Sequence, residues 1–247
     1  MCRFPNSRFV LLSVAAMFAV AAVPSAALAQ EKGEKKPVAK KVKKPIYDEQ
    51  ADAKADIAAA VARAKKNNKR VLVMYGGNWC GWCYKLHDVF KKDSEVARTL
   101  LYEYERVMVD IGRMDKHQDI VKGYGAKING VPFLTVLDGD GKVVVNQPTD
   151  PLEEGDHHDP DKVQAFLTKH KAEPWDAKDL FDKALARAES QGKMVFMHFG
   201  APWCVWCRRL EAFLDQDEVA AIMNRDFVDL KIDIDRMTGG KDIKAKY

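Results

Sequence analysis

Two short stretches carry the chemistry of this sequence: Trp79-Cys80-Gly81-Trp82-Cys83 and Trp203-Cys204-Val205-Trp206-Cys207. Each follows a short apolar run, residues 71–75 and 195–199, that reads as a buried strand, and each is expected to open a helix. At a helix N-terminus, unpaired backbone N–H groups and the macrodipole favour negative charge, so the leading Cys is stabilised as a thiolate. The second Cys, one turn along, can reach back to form or resolve a disulfide through a mixed-disulfide intermediate. Cys80 and Cys204 are therefore the expected nucleophiles, and Cys83 and Cys207 the resolving thiols. A zinc site is the first rival reading, but it would have to bring together pairs from separate repeats. A purely structural bridge would close a loop too small to stabilise much.

The elements that position these pairs come from one pattern written twice. Laying Cys80 on Cys204 aligns the motifs at an offset of 124. After one gap the match resumes at 123, pairing Asp110 with Asp233, Arg113-Met114 with Arg236-Met237 and Tyr124 with Tyr247. In the first copy the expected order is a helix over residues 52–66, a strand at 71–75, a helix at 80–91 and a strand at 107–110. That order is the right-handed parallel crossover. A hairpin follows, with strands at 133–137 and 143–145 around Asp138-Gly139-Asp140-Gly141, and a last helix spans 160–170. The second copy repeats this with a helix at 176–190, a strand at 195–199, a helix from Cys204 and a strand at 227–232. Because Tyr247 matches Tyr124, residues 125–171 have no counterpart. We expect this to reflect a truncated gene product; the alternative is a half domain leaning on the first copy. An isolated 172–247 fragment is expected to be unstable, since two strands leave an open edge and apolar face.

Composition narrows the class. With 47% hydrophobic and 31% charged residues over 247 positions, the chain is globular and neither disordered nor collagenous. Residues 1–29 hold Arg3 and Arg8, an apolar run over 9–23 and the small-residue triplet Ala27-Leu28-Ala29, the pattern of a secretory signal peptide cleaved after Ala29. The run is too short for the roughly 20 residues of a membrane anchor. Residues 30–46 carry seven Lys against two Glu and read as an unfolded linker. Of the overall charge of +4, the linker contributes +5 and the leader +2, which leaves −3 for residues 47–247. A slightly acidic folded part, with no aromatics among the linker's lysines, argues against nucleic acid as a partner. Four Cys outside the leader, in pairs, suit an exported and oxidising compartment, periplasmic or extracellular.

On the Trp-Cys-x-x-Cys motifs, their strand and helix flanks and the segment Gly130-Val131-Pro132-Phe133, the sequence resembles the thioredoxin-like superfamily. The resemblance covers residues 52–171 almost throughout. It implies an α/β fold, a mixed sheet flanked by helices, in tandem with an incomplete second copy: domains at 47–171 and 172–247. It also implies that Val131 and a cis Pro132 lie beside the Cys pair, where their backbone receives an extended substrate chain. Two positions depart from the family pattern. Gly81-Trp82 and Val205-Trp206 replace the usual Gly-Pro and bring no charge, so a middling or reducing potential is expected. The buried acid often found six residues before the first Cys is replaced by Met74 in one copy and His198 in the other. Proton relay in the first copy must then use water or another group, while His198 reads chiefly as packed.

The expected function is thiol–disulfide exchange on protein substrates, with no cofactor or metal and with a membrane or soluble redox partner. Trp79, Trp82, Trp203 and Trp206 either cap the core or offer aromatic surface to extended peptide. The alternative is a non-catalytic binding module for peptide or a soft metal. His87 reads as a surface residue, and Asp156-His157-His158-Asp159 as a solvated loop rather than a metal site.

Overall fold

A computed structural model describes residues 43–247. The expected signal peptide and nearly all of the Lys-rich linker lie outside the described residues. The elements run α1 (Ala53–Asn67), β1 (Arg70–Gly76), α2 (Gly81–Lys92), α3 (Ser94–Glu103), β2 (Tyr104–Asp110), α4 (Gln118–Gly123), β3 (Phe133–Leu137) and β4 (Val143–Pro148). A 3-10 turn at Asp150–Leu152 leads into a small hairpin, β5 (Glu153–Glu154) and β6 (His157–His158), and then α5 (Pro160–His170). The second unit holds α6 (Ala177–Gln191), β7 (Met194–Gly200), α7 (Val205–Leu214), α8 (Asp217–Asp226), β8 (Phe227–Asp233) and α9 (Gly240–Lys246).

Capping residues set most of these boundaries. Asp52 accepts hydrogen bonds from the Lys54 and Ala55 N–H groups at the start of α1, and Asp159 caps α5 with Pro160 behind it. Asp93 explains why the helix after the first Cys pair breaks. It ends α2 in an extended conformation and its carboxylate then caps α3 through the Glu95 and Val96 N–H groups. The corresponding break in the second unit separates α7 from α8.

The first sheet has the order β2-β1-β3-β4, with β1 parallel to β2 and β3 antiparallel to both of its neighbours. β1 is central, and from Val71 to Gly76 every residue is buried. Its alternating side chains serve two layers. Leu72 and Met74 enter a core with Leu86, Phe90, Leu134, Val163 and Leu167, while Val71, Val73 and Tyr75 enter one with Ile57, Ala60, Val109 and Ile120. The second sheet has two parallel strands, β7 and β8, packed on α6 through Ala184, Ala188, Leu230 and Ile232.

The second unit is tied to the first by a largely buried cation. The Arg236 guanidinium bonds Glu103 Oε2 at 2.9 Å and donates to the backbone carbonyls of Asn67 and Asn68, each at 2.7 Å, where α1 ends in a left-handed turn. Lys231 reaches Asn67 Oδ1 at 3.0 Å and Lys66 pairs with Asp215 at 2.6 Å. A charge buried with its full set of partners holds geometry, and removing one partner strands the rest.

Candidate active site

Cys80 is the N-cap of α2. Its backbone is extended, and its Sγ accepts the Cys83 N–H at 3.0 Å. The sulfur of the leading residue thus sits where the helix's first N–H groups converge, as the spacing predicts. Cys80 and Cys83 are joined as a disulfide, and so are Cys204 and Cys207. Cys204 caps α7 in the same way, with the Cys207 N–H 3.1 Å from its Sγ.

The Val131–Pro132 peptide bond is cis, and the Val131 carbonyl oxygen lies 3.5 Å from Cys80 Sγ. The Thr149 hydroxyl, itself buried, donates to the Pro132 carbonyl at 2.8 Å and holds this loop against the motif. The structure therefore brings Cys80, Cys83, Val131 and Pro132 together at one end of β1 and β3.

The four motif tryptophans take different places. Trp79 is partly exposed, donates from Nε1 to the Gly112 carbonyl at 2.6 Å and stacks under Arg113. Trp203 is exposed and donates to Asp235 Oδ2 at 2.8 Å. Trp206 is 73% exposed beneath the Arg209 guanidinium. Trp82 instead packs against the first core, with the Lys85 ammonium over its face and the His158 ring nearly perpendicular to it, the two ring centres 5.3 Å apart.

That last contact corrects one expectation. Asp156 and His157 are exposed as a solvated loop requires, but His158 lies in β6, opposite Glu153, and is fully buried against Trp82. The hairpin is tied down by Lys85, which donates to the Asp156 carbonyl. Two adjacent histidines and flanking aspartates gave no periodic signal, so only the tertiary contact marks this residue. Burial, with Lys85 and His157 adding, pushes the His158 imidazole down to about 4, and neither ring nitrogen has a hydrogen-bond partner. The imidazole is neutral at pH 7.

Met74 is buried on β1 and brings no ionisable group to the first pair. On β7, His198 is buried, with Nε2 3.3 Å from Asp229 and Nδ1 unpartnered. His87 is half-buried, and burial lowers its imidazole below the usual range. Among the described residues, no cluster of His, Cys, Asp or Glu has the arrangement of a metal site. A cleft of about 1260 Å³ lies between β2, β8 and their helices and is lined by neither Cys pair.

Comparison with known proteins converges on the same elements. Residues 52–139 match a family described as thioredoxin-like, and residues 160–245 match the Thioredox_DsbH family, described as a protein of unknown function, DUF255. The chain is 27% identical over 181 residues to the protein disulfide-isomerase erp38 of Neurospora crassa, covering 71% of this chain and 47% of that one. It is 26% identical over 103 residues to the disulfide bond reductase DsbH of Chlamydia pneumoniae, covering 38% of this chain and 61% of that one. The crystal structure of a disulphide isomerase from Xylella fastidiosa Temecula1 is 28% identical, covers 50% of this chain and 95% of its own, and has a TM-score of 0.46. The chain spans about half the length of the first curated relatives it matches. With the strand order, the helix-capping Cys pair and the cis-proline segment assembled at one edge of the sheet, the first unit has the thioredoxin-like fold that the match over residues 52–139 describes, and residues 160–245 match the Thioredox_DsbH family.

Proposed function

We propose that the protein exchanges thiols and disulfides on protein substrates, with Cys80 as nucleophile and Cys83 as resolving thiol. The observation that carries this reading is the position of Cys80 Sγ, at the mouth of α2 and within 3.5 Å of the cis-proline loop's carbonyl. In the reducing direction, the Cys80 thiolate attacks a substrate disulfide, a new S–S bond forms and one substrate sulfur leaves as thiolate. Cys83 then attacks Cys80 Sγ, closing the pair and releasing the second substrate sulfur; the two substrate thiolates take up the protons lost by the enzyme thiols. A dithiol reductant, delivered by a membrane or soluble redox partner, restores the pair. Val131 and Pro132 line the path of an extended substrate backbone, and Trp79 offers it an aromatic flank.

Cys204 and Cys207 form a second exchange site on a second thioredoxin-like unit, flanked by exposed Trp203 and Trp206. Export is supported by the sequence of residues 1–29 and by the pairing of four cysteines. Among the described residues no helix is long and apolar enough to cross a membrane.

The test uses the chain with both second-pair cysteines changed to serine. Cys80→Ser is expected to abolish insulin reduction, and Cys83→Ser to accumulate mixed disulfides with substrate. Equal residual activity in the two variants would refute this division of roles.

A further inference from the structure

The first Cys pair lacks the buried acid that its strand position would supply, yet Cys83 is completely enclosed. A thiol buried in apolar surroundings ionises reluctantly, so the attack by which Cys83 resolves a mixed disulfide needs a compensating donor. Tyr47, just before α1, is placed to provide one. Its side chain is 2% exposed within the core that holds Cys80 and Cys83, and its hydroxyl has no hydrogen-bond partner in the disulfide form. A β-carbon added to Gly76 would lie 2.3 Å from the Tyr47 Oη and 2.5 Å from Cys83 Sγ. The oxygen and the sulfur therefore face each other across the glycine, no farther apart than the sum of those distances.

Tyr47 is held there by the residue that precedes the motif. Asn78 Oδ1 accepts the Ile46 and Tyr47 N–H groups, and Asn78 Nδ2 donates to the Tyr47 carbonyl, each at 3.0 Å. An extended segment tied at three points to the residue before Trp79 delivers a hydroxyl to the interior end of the disulfide. Leaving that hydroxyl unpaired costs about 1–3 kcal/mol in the oxidised form. Packing alone does not explain it, because a phenyl ring would fill the same space without the cost.

We propose that Tyr47 is a catalytic residue of the first site, its hydroxyl donating a hydrogen bond to the Cys83 sulfur when the disulfide opens and so favouring the resolving thiolate. The proton stays on oxygen. Burial first, then Asp110 and Tyr84, raise the phenol far above its ordinary value, which keeps it a donor. These are the titratable groups that face it; Asp110 is itself paired with Lys116 at 3.0 Å, and Met74 contributes none. The inference rests on the exchange reading above and deepens it.

Tyr47→Phe removes only the hydroxyl. In the full chain carrying Cys80→Ser and carbon-13 at the cysteine β-carbons, the pH dependence of the Cys83 Cβ shift in NMR reports ionisation of that one thiol without turnover and without reagent access to the enclosed sulfur. Adding Tyr47→Phe is expected to move the midpoint upward by about one pH unit or more, the effect of losing a hydrogen bond to a charged sulfur. An unmoved midpoint would overturn the proposal. So would a fall in the melting temperature of the oxidised Tyr47→Phe protein, because the hydroxyl would then have a structural partner. Insulin reduction by the parent chain is scored separately, so failure of the exchange reading is distinguishable from failure of the Tyr47 assignment.

Discussion

The same motif stands in two settings within this molecule, and the settings differ where the motif does not. Cys83 is enclosed, whereas Cys207 is half-exposed with its Sγ 3.8 Å from the Phe199 carbonyl. Leu86, one turn beyond the first pair, is 0% exposed, and its counterpart Leu210 is 39% exposed. In the first unit that helix face is covered by β3, the β5–β6 hairpin and α5, with Leu134, Leu152, Val163 and Leu167 against it. Behind the sulfur the chemistry diverges as well. Gly76 separates Cys83 from the Tyr47 hydroxyl, while Gly200 lies beside Cys207 and the ion pair Glu211–Lys231, which is 2.7 Å long. A helix mouth places a sulfur; the layer packed behind it decides what the sulfur meets.

Three measurements would sharpen or break this contrast. The largest difference is expected from the helix-face leucines. Leu86→Ala should cost about 2–5 kcal/mol in a denaturant titration, as core truncations do, whereas Leu210→Ala should cost about 1 kcal/mol or less. Similar losses at both positions would show that the two faces are equally packed.

The next concerns His158, which belongs to the covering layer of the first unit. Its folded pKa of about 4 lies below its ordinary value of 6.5, so the unfolded chain binds the extra proton between those limits. Native stability attributable to this residue is therefore complete above pH 6.5 and falls as the pH drops toward 4, by up to about 3 kcal/mol. His158→Phe should flatten that slope in urea unfolding curves taken across the window. A slope that survives the substitution would assign it to other groups.

The smallest effect tests the glycines. Gly76→Ala would drive a methyl group into Tyr47 and Cys83, an overpacking expected to cost about 1–3 kcal/mol in thermal unfolding. At Gly200 the nearest atom outside the adjacent backbone is 3.6 Å away, ordinary contact, so Gly200→Ala should be neutral or stabilise by up to about 1 kcal/mol. Equal costs would remove the distinction drawn between the two sulfur environments.

Much of this arrangement was legible in the residues. The continuous apolar run of β1, the turn at Asp138-Gly139 and the Pro160 start of α5 announce themselves locally, and the structure has each of them. Two strands extend beyond their apolar runs: β2 begins at Tyr104 and β4 reaches Pro148. Helices α3, α4, α8 and α9 are additions of the structure to the expected order. Asp93 was the available signal for α3, since an Asp two and three residues before capped N–H groups is a recognised start, but the polar stretch around it masked the boundary. Tyr47 was unreadable as a site residue, because a single tyrosine beside a lysine-rich stretch shows no pattern.

By itself the sequence determined where two sulfur pairs stand at helix mouths, since strand, turn and cap are decided by neighbours within a few positions. It also determined the order of the main strands and of the helices that flank them, through repetition at a near-constant offset. Only the tertiary structure decided which thiol is sealed and what faces it. Tyr47 reaches the first pair, and His158 the Trp82 between its cysteines, from distant parts of the chain, and burial is a property of everything that packs on an atom rather than of the residue that bears it.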